Sequence, residues 1–262
     1  MKIAVLIKQV PDTASSRTID VEAGRIVREP AEAIVDEISE RALEKALQLR
    51  KEHGGEVTVL AMGPDKTVAA LRHGLAMGAD RAVHLHDPDF AGADLVRTAR
   101  ILASGLRGLE PFDVILTGNT STDGRGGAVP AALAEILRLA QATSLRAFDI
   151  VDGVLTGERV LDDMVQHIQA KLPAVVSVTE HIADPRFPGF KGIMTAKRKK
   201  ILTMDAKGLA GSGPSHSNGQ PVGANVVRSV VENPSRTSGE KFADDGSAAQ
   251  RISDYLIEEG LV

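Results

Sequence analysis

The sequence contains no cysteine and no tryptophan, and its single tyrosine is Tyr255. Without cysteine, the chain cannot form disulfides, thiolate metal sites or iron–sulfur clusters, and it has no cysteine nucleophile. With so few aromatic side chains, a stacking platform for single-stranded nucleic acid is also not expected. The lack of cysteine fits a reducing compartment, and we expect a cytoplasmic protein.

Long apolar runs are missing as well. No stretch approaches the roughly 18 apolar residues that a membrane-spanning helix needs, so we expect no membrane insertion. The apolar start is interrupted by Lys8 and Gln9, which favours a first strand over a signal peptide. The formal net charge of −4 comes from acids and bases mixed along the chain, which argues against a broad basic surface for nucleic acid.

The sequence does contain an alternation of short apolar runs with amphipathic segments. The apolar runs predict buried strands at residues 3–7, 57–61, 82–85 and 114–116. The amphipathic segments predict helices that begin near Asp36, Thr67, Ala93 and Val129. This alternation is typical of an α/β fold built on a parallel sheet. In the helix from 36 to 51, we expect Glu44 and Lys45 to lie outside the buried stripe.

The second half of the chain changes character. Residues 141–180 predict further strands, including a buried one entered through Pro173. From about residue 181 we expect the regular alternation to stop. Residues 208–223 predict a flexible linker, and residues 248–261 predict a short amphipathic helix that needs an external packing surface. The expected organisation is an α/β domain at 1–202, followed by a linker and C-terminal arm at 203–262.

A glycine-rich loop, GNTSTDGRGG at residues 118–127, follows the fourth predicted strand and precedes a helix. Glycine lets the backbone approach a phosphate, and the free N–H groups at a helix start attract negative charge. Ligands bind at this edge of open parallel sheets. An ordinary connecting loop explains the composition equally well. Neither GxGxxG nor a P-loop lysine is present, so ATP hydrolysis is not indicated.

No motif indicates catalysis or a complete metal site. His84 and His86 should point to the same face of a strand, as metal ligands could, but no third ligand is identifiable. Histidines at the exposed end of a strand are the preferred interpretation. The paired acids Asp162 and Asp163 would lie on opposite sides of a strand. We therefore expect no metal and no enzymatic activity from this chain alone.

An apolar group, Phe187, Pro188 and Phe190, precedes the basic run KRKK at residues 197–200. It lies in a segment that we expect to be irregular. An apolar tip on such a loop can anchor another protein. Folding back onto the protein's own core is an equally good interpretation.

Several motifs, in this order along the chain, resemble the electron-transfer flavoprotein β-subunit family. They are KQVPD at 8–12, LAMGADRA at 75–82, DG at 123–124, RVLDDMVQ at 159–166, KLPAVV at 171–176, DPRF at 184–187 and IMTAKRKK at 193–200. The similarity spans residues 1 to about 202. RVLDDMVQ together with KLPAVV looks like the signature segment of that family, and DPRF together with IMTAKRKK looks like its recognition loop.

The resemblance implies a Rossmann-like adenine-nucleotide-binding α/β domain of the HUP type, with a C-terminal arm that binds a partner. It implies an AMP pocket formed by Leu6, Asp36, Glu37, Ile38, Ser39, Met62, Gly118, Asn119, Thr120, Ser121, Thr122, Asp123, Gly124, Arg125, Gly126, Gly127, Ala128 and Val129. The AMP would act structurally and stabilise the bound fold. The flavin ring would lie near Thr13 and Ile38.

The resemblance also implies a non-enzymatic electron carrier. An α subunit would hold most of the FAD at the subunit interface and would give the C-terminal helix its packing surface. Donors of the acyl-CoA dehydrogenase type would dock at Phe190, and electrons would pass to electron-transfer flavoprotein–quinone oxidoreductase. This chemistry belongs to fatty acid oxidation.

Some positions differ from the residues usual in the family. Arg125 stands where an acid is common, Ala128 where a glutamine is common, and Val160 where the signature has an acid. Arg125 would suit the longer pyrophosphate of a second FAD, so a subunit of an electron-bifurcating flavoprotein is the main alternative. A stand-alone nucleotide-sensing module of the universal-stress type is a third hypothesis.

Overall fold

The computed structural model describes residues 1–15, 18–28, 32–109, 111–209, 227–231, 234, 239 and 241–262. These residues divide into two units, Met1–Arg228 and Ser229–Val262. The strands are β1 (Lys2–Leu6), β2 (Gln9–Pro11), β3 (Ile19–Asp20), β4 (Arg25–Ile26), β5 (Ala33–Val35), β6 (Glu56–Met62), β7 (Arg81–Leu85), β8 (Val114–Gly118), β9 (Ala140–Val151), β10 (Val154–Val160), β11 (Val165–Lys171), β12 (Ala174–Val178) and β13 (Ile201–Met204). The helices are α1 (Glu37–His53), α2 (Val68–Met77), α3 (Leu95–Arg107), α4 (Val129–Leu137), α5 (Phe190–Arg198), α6 (Ala206–Leu209) and α7 (Ala248–Glu258).

A nine-stranded sheet forms the centre of the first unit, in the order β11-β10-β9-β12-β8-β1-β6-β7-β13. The seven strands β9, β12, β8, β1, β6, β7 and β13 pair in parallel with their neighbours in this order. Strands β10 and β11 extend the sheet beyond β9 with antiparallel pairing. Alternate residues of β1 face opposite sides: Ile3 and Val5 pack in one core cluster, Ala4 and Leu6 in the other. Because both faces are covered, residues 3–6 of this strand are all apolar and buried. The predicted α/β class with a parallel sheet is confirmed.

Helix α1 covers the amphipathic pattern predicted for residues 36–51. The expectation that Glu44 and Lys45 lie outside its buried stripe is wrong, because both are buried. The Glu44 carboxylate accepts hydrogen bonds from Arg186, and Lys45 Nζ lies 4.9 Å from the centre of the Phe148 ring. Charged side chains can be buried when they are paired in this way.

The strand order reverses between β1 and β8. The chain leaves β1 toward β6 and β7 on one side, and β8 lies on the other side of β1. In an open parallel sheet, the connections at such a reversal run in opposite directions and leave a crevice at the carboxyl ends of the two strands. The glycine-rich loop after β8 borders this crevice.

The expectation that the regular alternation stops near residue 181 is wrong, because α5, β13 and α6 follow in that order. Helix α5 packs against α2, and β13 pairs in parallel with β7 at the edge of the sheet. Strand β13 has only four residues, of which Leu202 and Thr203 are exposed. Such a short, half-exposed edge strand has no continuous apolar run in the sequence. The domain boundary expected after residue 202 stays a prediction, and β13 continues to Met204.

The second unit contains α7, which confirms the helix predicted at 248–261. Within this unit, Ile252, Tyr255 and Ile257 are exposed. The linker predicted at 208–223 lies outside the described residues from residue 210 onward. Across the part of the chain that the structure describes, no helix combines the length and apolar character needed to cross a membrane.

Candidate functional site

The carboxyl ends of three neighbouring strands bring together residues that were expected to contact a nucleotide. Leu6 of β1 is aligned with Leu60 of β6 and with Thr117 of β8. Met62 and Gly118 follow these partners closely along their strands. Leu6, Met62 and Gly118 therefore lie at one edge of the sheet, beside the reversal in strand order.

The Asp36 carboxylate joins the start of α1 to the glycine-rich loop. One oxygen accepts the N–H of Ile38 at 3.1 Å, and this bond caps the helix. The other oxygen accepts the N–H and the hydroxyl of Thr122 at 2.7 and 2.8 Å. The Asp36 N–H donates to the carbonyl of Lys8 at 2.9 Å. Asp36 is only 1% exposed, so protein groups satisfy its carboxylate.

Glu37 and Ser39, also at the start of α1, contact neighbouring segments of the same edge. Glu37 Oε1 accepts a hydrogen bond from the hydroxyl of Thr13 at 3.1 Å. Ser39 Oγ accepts the N–H of Lys8 at 3.3 Å. Thr13 and Ile38, the two positions expected near a flavin, therefore both lie close to the start of α1.

Glycines in the loop stand where the backbone comes close to a neighbour or turns. A Cβ on Gly118 would lie 2.9 Å from Cγ2 of Ile38, so this position has no room for a side chain. Gly127 has a φ of 65°, and Arg125 adopts the same left-handed region at 48°. At Gly126, a Cβ would lie 3.8 Å from its nearest neighbour. The loop backbone is closely packed at Gly118 and has free space beside it at Gly126.

Several polar groups of this loop are available to a ligand. Within the described residues, Asn119 Oδ1 and Thr120 Oγ1 are buried without a hydrogen-bond partner. The N-cap residue of α4 is Ala128, which gives the helix no side-chain cap. Unpaired buried polar atoms are costly, and uncapped helix N–H groups attract anions. Amide, hydroxyl and backbone N–H groups together fit the sugar and phosphate of a nucleotide.

Asp123 lies in an ion-paired cluster that sequence reasoning missed. Its fully buried carboxylate is 2.6 Å from Lys8 Nζ and 2.9 Å from Arg28 Nη2. Lys8 Nζ also donates to Ser121 Oγ at 3.2 Å. Burial raises the pKa of Asp123, but the hydrogen bond and positive charge of Lys8, with the Arg28 guanidinium, hold that pKa well below its usual range. The ionised carboxyl group thus holds two cations beside the loop.

Lys8 and Arg28 were missed because they are far from the loop in sequence. Lys8 belongs to the KQVPD motif after β1, and the motif is the only signal that could have suggested it. Arg28 lies between β4 and β5 and has no distinctive sequence context. Only the fold shows that both cations reach Asp123.

His84 and His86 do share one face, as their spacing predicts. Their rings stack with centroids 5.1 Å apart, and both approach the carbonyl of Gly63 at 3.0 Å. The interpretation of His84 as an exposed strand end is wrong, because it is 2% exposed. Burial lowers the pKa of His84 and favours a neutral ring. Among the described residues, no group of three or more His, Asp or Glu side chains could hold a metal ion.

Both phenylalanines of the apolar group around Phe190 are exposed and do not fold back onto the core. Phe187 is 96% and Phe190 82% exposed. The expectation of an irregular segment is wrong for Phe190, which is the first residue of α5. A groove of about 600 Å³ adjoins this surface. The groove is lined by Arg72, His73, Ala76, Phe187, Pro188, Ile193, Ala196 and Lys197.

Comparisons with known proteins agree with this fold. The family model described as electron transfer flavoprotein domain matches residues 24–209. The chain is 45% identical to the electron transfer flavoprotein subunit beta of Mycobacterium bovis and 44% identical to that of Mycobacterium leprae, over 99% of each chain. The chain belongs to the electron transfer flavoprotein β-subunit family. A further family relative is the caffeyl-CoA reductase-Etf complex subunit CarD of Acetobacterium woodii, 31% identical over 99% of this chain and 97% of CarD.

Membership in the electron transfer flavoprotein family gives the chain its general role. β subunits of this family are electron-carrier subunits and not enzymes in the ordinary sense, and they pair with an α subunit. The family binds flavin and AMP in general. The alternative of a stand-alone nucleotide-sensing module is therefore set aside.

Proposed function

We propose that this β subunit binds one AMP in the glycine-rich loop and pairs with an α subunit that holds most of the FAD at their interface. FAD, when bound, carries the electrons. The AMP acts as a structural ligand, because a ligand that binds only the folded state stabilises that state. The proposed cellular location is the cytoplasm, as expected for a chain without cysteine.

The loop after β8 is the observation that carries this proposal. It combines an open backbone at Gly126, unpartnered side-chain oxygens at Asn119 and Thr120, and an uncapped start of α4. Asp36 holds the loop against α1 through Thr122. We assign the nucleotide contacts to the residues that the resemblance implies: Leu6, residues 36–39, Met62 and residues 118–129.

We further propose that Phe190 docks on donors of the acyl-CoA dehydrogenase type, and that the acceptor is electron-transfer flavoprotein–quinone oxidoreductase. The exposed Phe187 and Phe190 side chains support docking, because exposed aromatic groups are typical anchors in interfaces. The basic run at 197–200 beside them favours an acidic partner surface. Helix α7, with exposed Ile252 and Tyr255, is proposed to pack on the α subunit.

Co-expression with the neighbouring α-type subunit tests the main proposal. The purified product should be a yellow heterodimer that contains one FAD and one AMP. A colourless product that remains a stable monomer under these conditions would count against the proposal.

A second candidate is a subunit of an electron-bifurcating flavoprotein, with a second FAD in place of AMP. Arg125 favours it, since its guanidinium lies in the loop and suits a pyrophosphate. Lys8 and Arg28 add positive charge at the same edge. Two FAD for each heterodimer, with NADH-driven reduction of a low-potential acceptor, would support this candidate. One FAD with bound AMP would exclude it.

A further inference from the structure

The segment that presents the two exposed phenylalanines is fixed at both ends. We call residues 184–190 the docking segment. On one side it is held by α1, and on the other side the helix that continues it, α5, is held by α2. Because the two aromatic side chains are exposed, packing in the protein's own core does not hold them in place. The direction in which they point must therefore be set by these flanking contacts.

The contact with α1 is an ion pair between a buried glutamate and a half-exposed arginine. Arg186 Nε and Nη2 donate to the two oxygens of Glu44 at 2.7 and 2.8 Å, and the Arg186 N–H donates to the same carboxylate at 3.3 Å. The Glu44 side chain is 7% exposed and that of Arg186 45%. A planar guanidinium held at two points fixes orientation as well as position. Phe187 is the next residue, so its backbone direction is fixed by this pair.

A second residue of α1 strengthens this contact. Arg41 lies one helical turn before Glu44, and its Nη1 donates to the carbonyl of Ala183 at 2.8 Å and to Asp184 Oδ1 at 2.9 Å. Asp184 is itself exposed, so this ion pair is weaker than the one at Glu44. Glu44 is therefore the main attachment of the docking segment.

Hydrogen bonds and close packing against α2 and the residues just after it hold α5 at the other end. Arg72 donates to the carbonyls of Ala196 and Lys199, and Lys199 Nζ donates to the carbonyl of Ala79 at 2.7 Å. Gly192 lies so close to α2 that an added Cβ would be 2.3 Å from the carbonyl oxygen of Ala76. The docking segment is thus a short connection between its attachment on α1 and helix α5, which packs on α2.

We propose that Glu44 is a positioning residue for partner docking: through Arg186 it sets the direction in which Phe187 and Phe190 leave the surface, and so the affinity for the electron donor. This inference rests on the proposed docking function of Phe190. A pre-organised anchor binds more tightly because less conformational freedom is lost on binding. Glu44 itself touches neither the donor nor a cofactor.

The test compares variants of the complete heterodimer. Glu44→Gln keeps the shape of the side chain but loses its charge, and Arg186→Gln breaks the same pair from its half-exposed side. The matched control is Glu52→Gln, which changes an exposed glutamate of the same helix. An acyl-CoA dehydrogenase reduced by its acyl-CoA serves as the donor, and hydrogen exchange reports on the backbone amides of residues 187 and 189–193.

Glu44→Gln and Arg186→Gln should each raise the KM for the heterodimer about tenfold, with kcat changed less than about twofold. The backbone amides of residues 187 and 189–193 should exchange faster, while the flavin and AMP contents stay unchanged. The control variant should behave like the wild type. The double variant should behave like either single variant, because the two residues act as a unit. If Glu44→Gln does not assemble, Arg186→Gln alone carries the test.

Phe190→Ala separates this inference from the docking proposal. Suppose that Phe190→Ala raises KM, but that Glu44→Gln and Arg186→Gln assemble and leave both KM and the hydrogen-exchange rates unchanged. The docking proposal for Phe190 is then supported, and the positioning role of Glu44 is wrong. If Phe190→Ala leaves KM unchanged, the docking proposal fails and the inference fails with it.

Discussion

Asp36 and Thr122 are 86 residues apart in the sequence, yet one carboxylate oxygen of Asp36 accepts both the N–H and the hydroxyl of Thr122, at 2.7 and 2.8 Å. The other oxygen of this carboxylate caps α1. A single buried side chain therefore connects the start of the first long helix to the loop that we propose holds AMP.

Replacing Asp36 with alanine should weaken both the helix start and the loop. Loss of the cap and of a buried acceptor should lower the free energy of unfolding by about 1–3 kcal/mol. It should also release AMP, because Thr122 loses its anchor. Urea unfolding and nucleotide extraction from the heterodimer measure these two effects.

Asp80→Ala is the matched control for Asp36→Ala. Its carboxylate accepts bonds from Arg50 at 2.6 Å and from the N–H of Val57 at 2.8 Å, at the opposite edge of the sheet. It should lower stability without changing the AMP content. Equal loss of AMP from both variants would show that stability alone explains the loss.

Asp123→Asn should lower stability in a way that depends on pH. The folded-state pKa of Asp123 is held below its ordinary value of 3.8, so its contribution is fully present above that value and is lost as pH falls below it. At pH 7 the loss should be about 2 kcal/mol, less than for a fully buried pair because Lys8 and Arg28 are half-exposed. Urea unfolding should give the same difference between wild type and variant at pH 7 and 5.5, and a smaller one near pH 3.5. A difference that shrinks already between pH 7 and 5.5 would assign the effect to another group.

Gly189 of the docking segment and Gly192 of α5 should respond differently to replacement by alanine. Gly192→Ala places a methyl group against the Ala76 carbonyl and should lower the free energy of unfolding by about 1–3 kcal/mol. A Cβ added at Gly189 would meet nothing within 4 Å, and φ there is −75°. Gly189→Ala should change the free energy of unfolding by less than about 0.5 kcal/mol, because the gain from a stiffer unfolded chain offsets the weaker preference for alanine at this N-cap. Thermal or urea unfolding of both variants measures this contrast. Equal stability of the two would contradict the close packing of α5 on α2.

Phe190→Ala should weaken donor docking without destabilising the protein. The side chain is 82% exposed, so its removal should change the free energy of unfolding by less than about 0.5 kcal/mol. As an anchor in an interface, it should cost about 2 kcal/mol of docking free energy, seen as a higher KM for the heterodimer. Val151→Ala, at a position 66% exposed, should change neither quantity. A similar KM for Phe190→Ala and wild type would contradict the docking role.

The sequence predicts the sheet well where the apolar runs are long and buried. The four predicted strands at residues 3–7, 57–61, 82–85 and 114–116 correspond to β1, β6, β7 and β8. Strand β13 was missed because only its two end residues are partly buried. The start of α5 at Phe190 was missed because no side chain caps it.

The candidate site was only partly predictable. The loop at 118–127 has a glycine pattern that local physics can interpret, and its position after a buried strand indicates the sheet edge. Burial of Glu44 and the reach of Lys8 and Arg28 toward Asp123 depend on partners far away in sequence. Periodicity treats such charged residues as exposed, because it contains no information about tertiary pairing.

Extraction and mass identification of the nucleotides in the purified heterodimer tests the central proposal most directly. The proposal predicts one AMP together with one FAD for each heterodimer. A heterodimer with its single FAD and no further adenylate would contradict it.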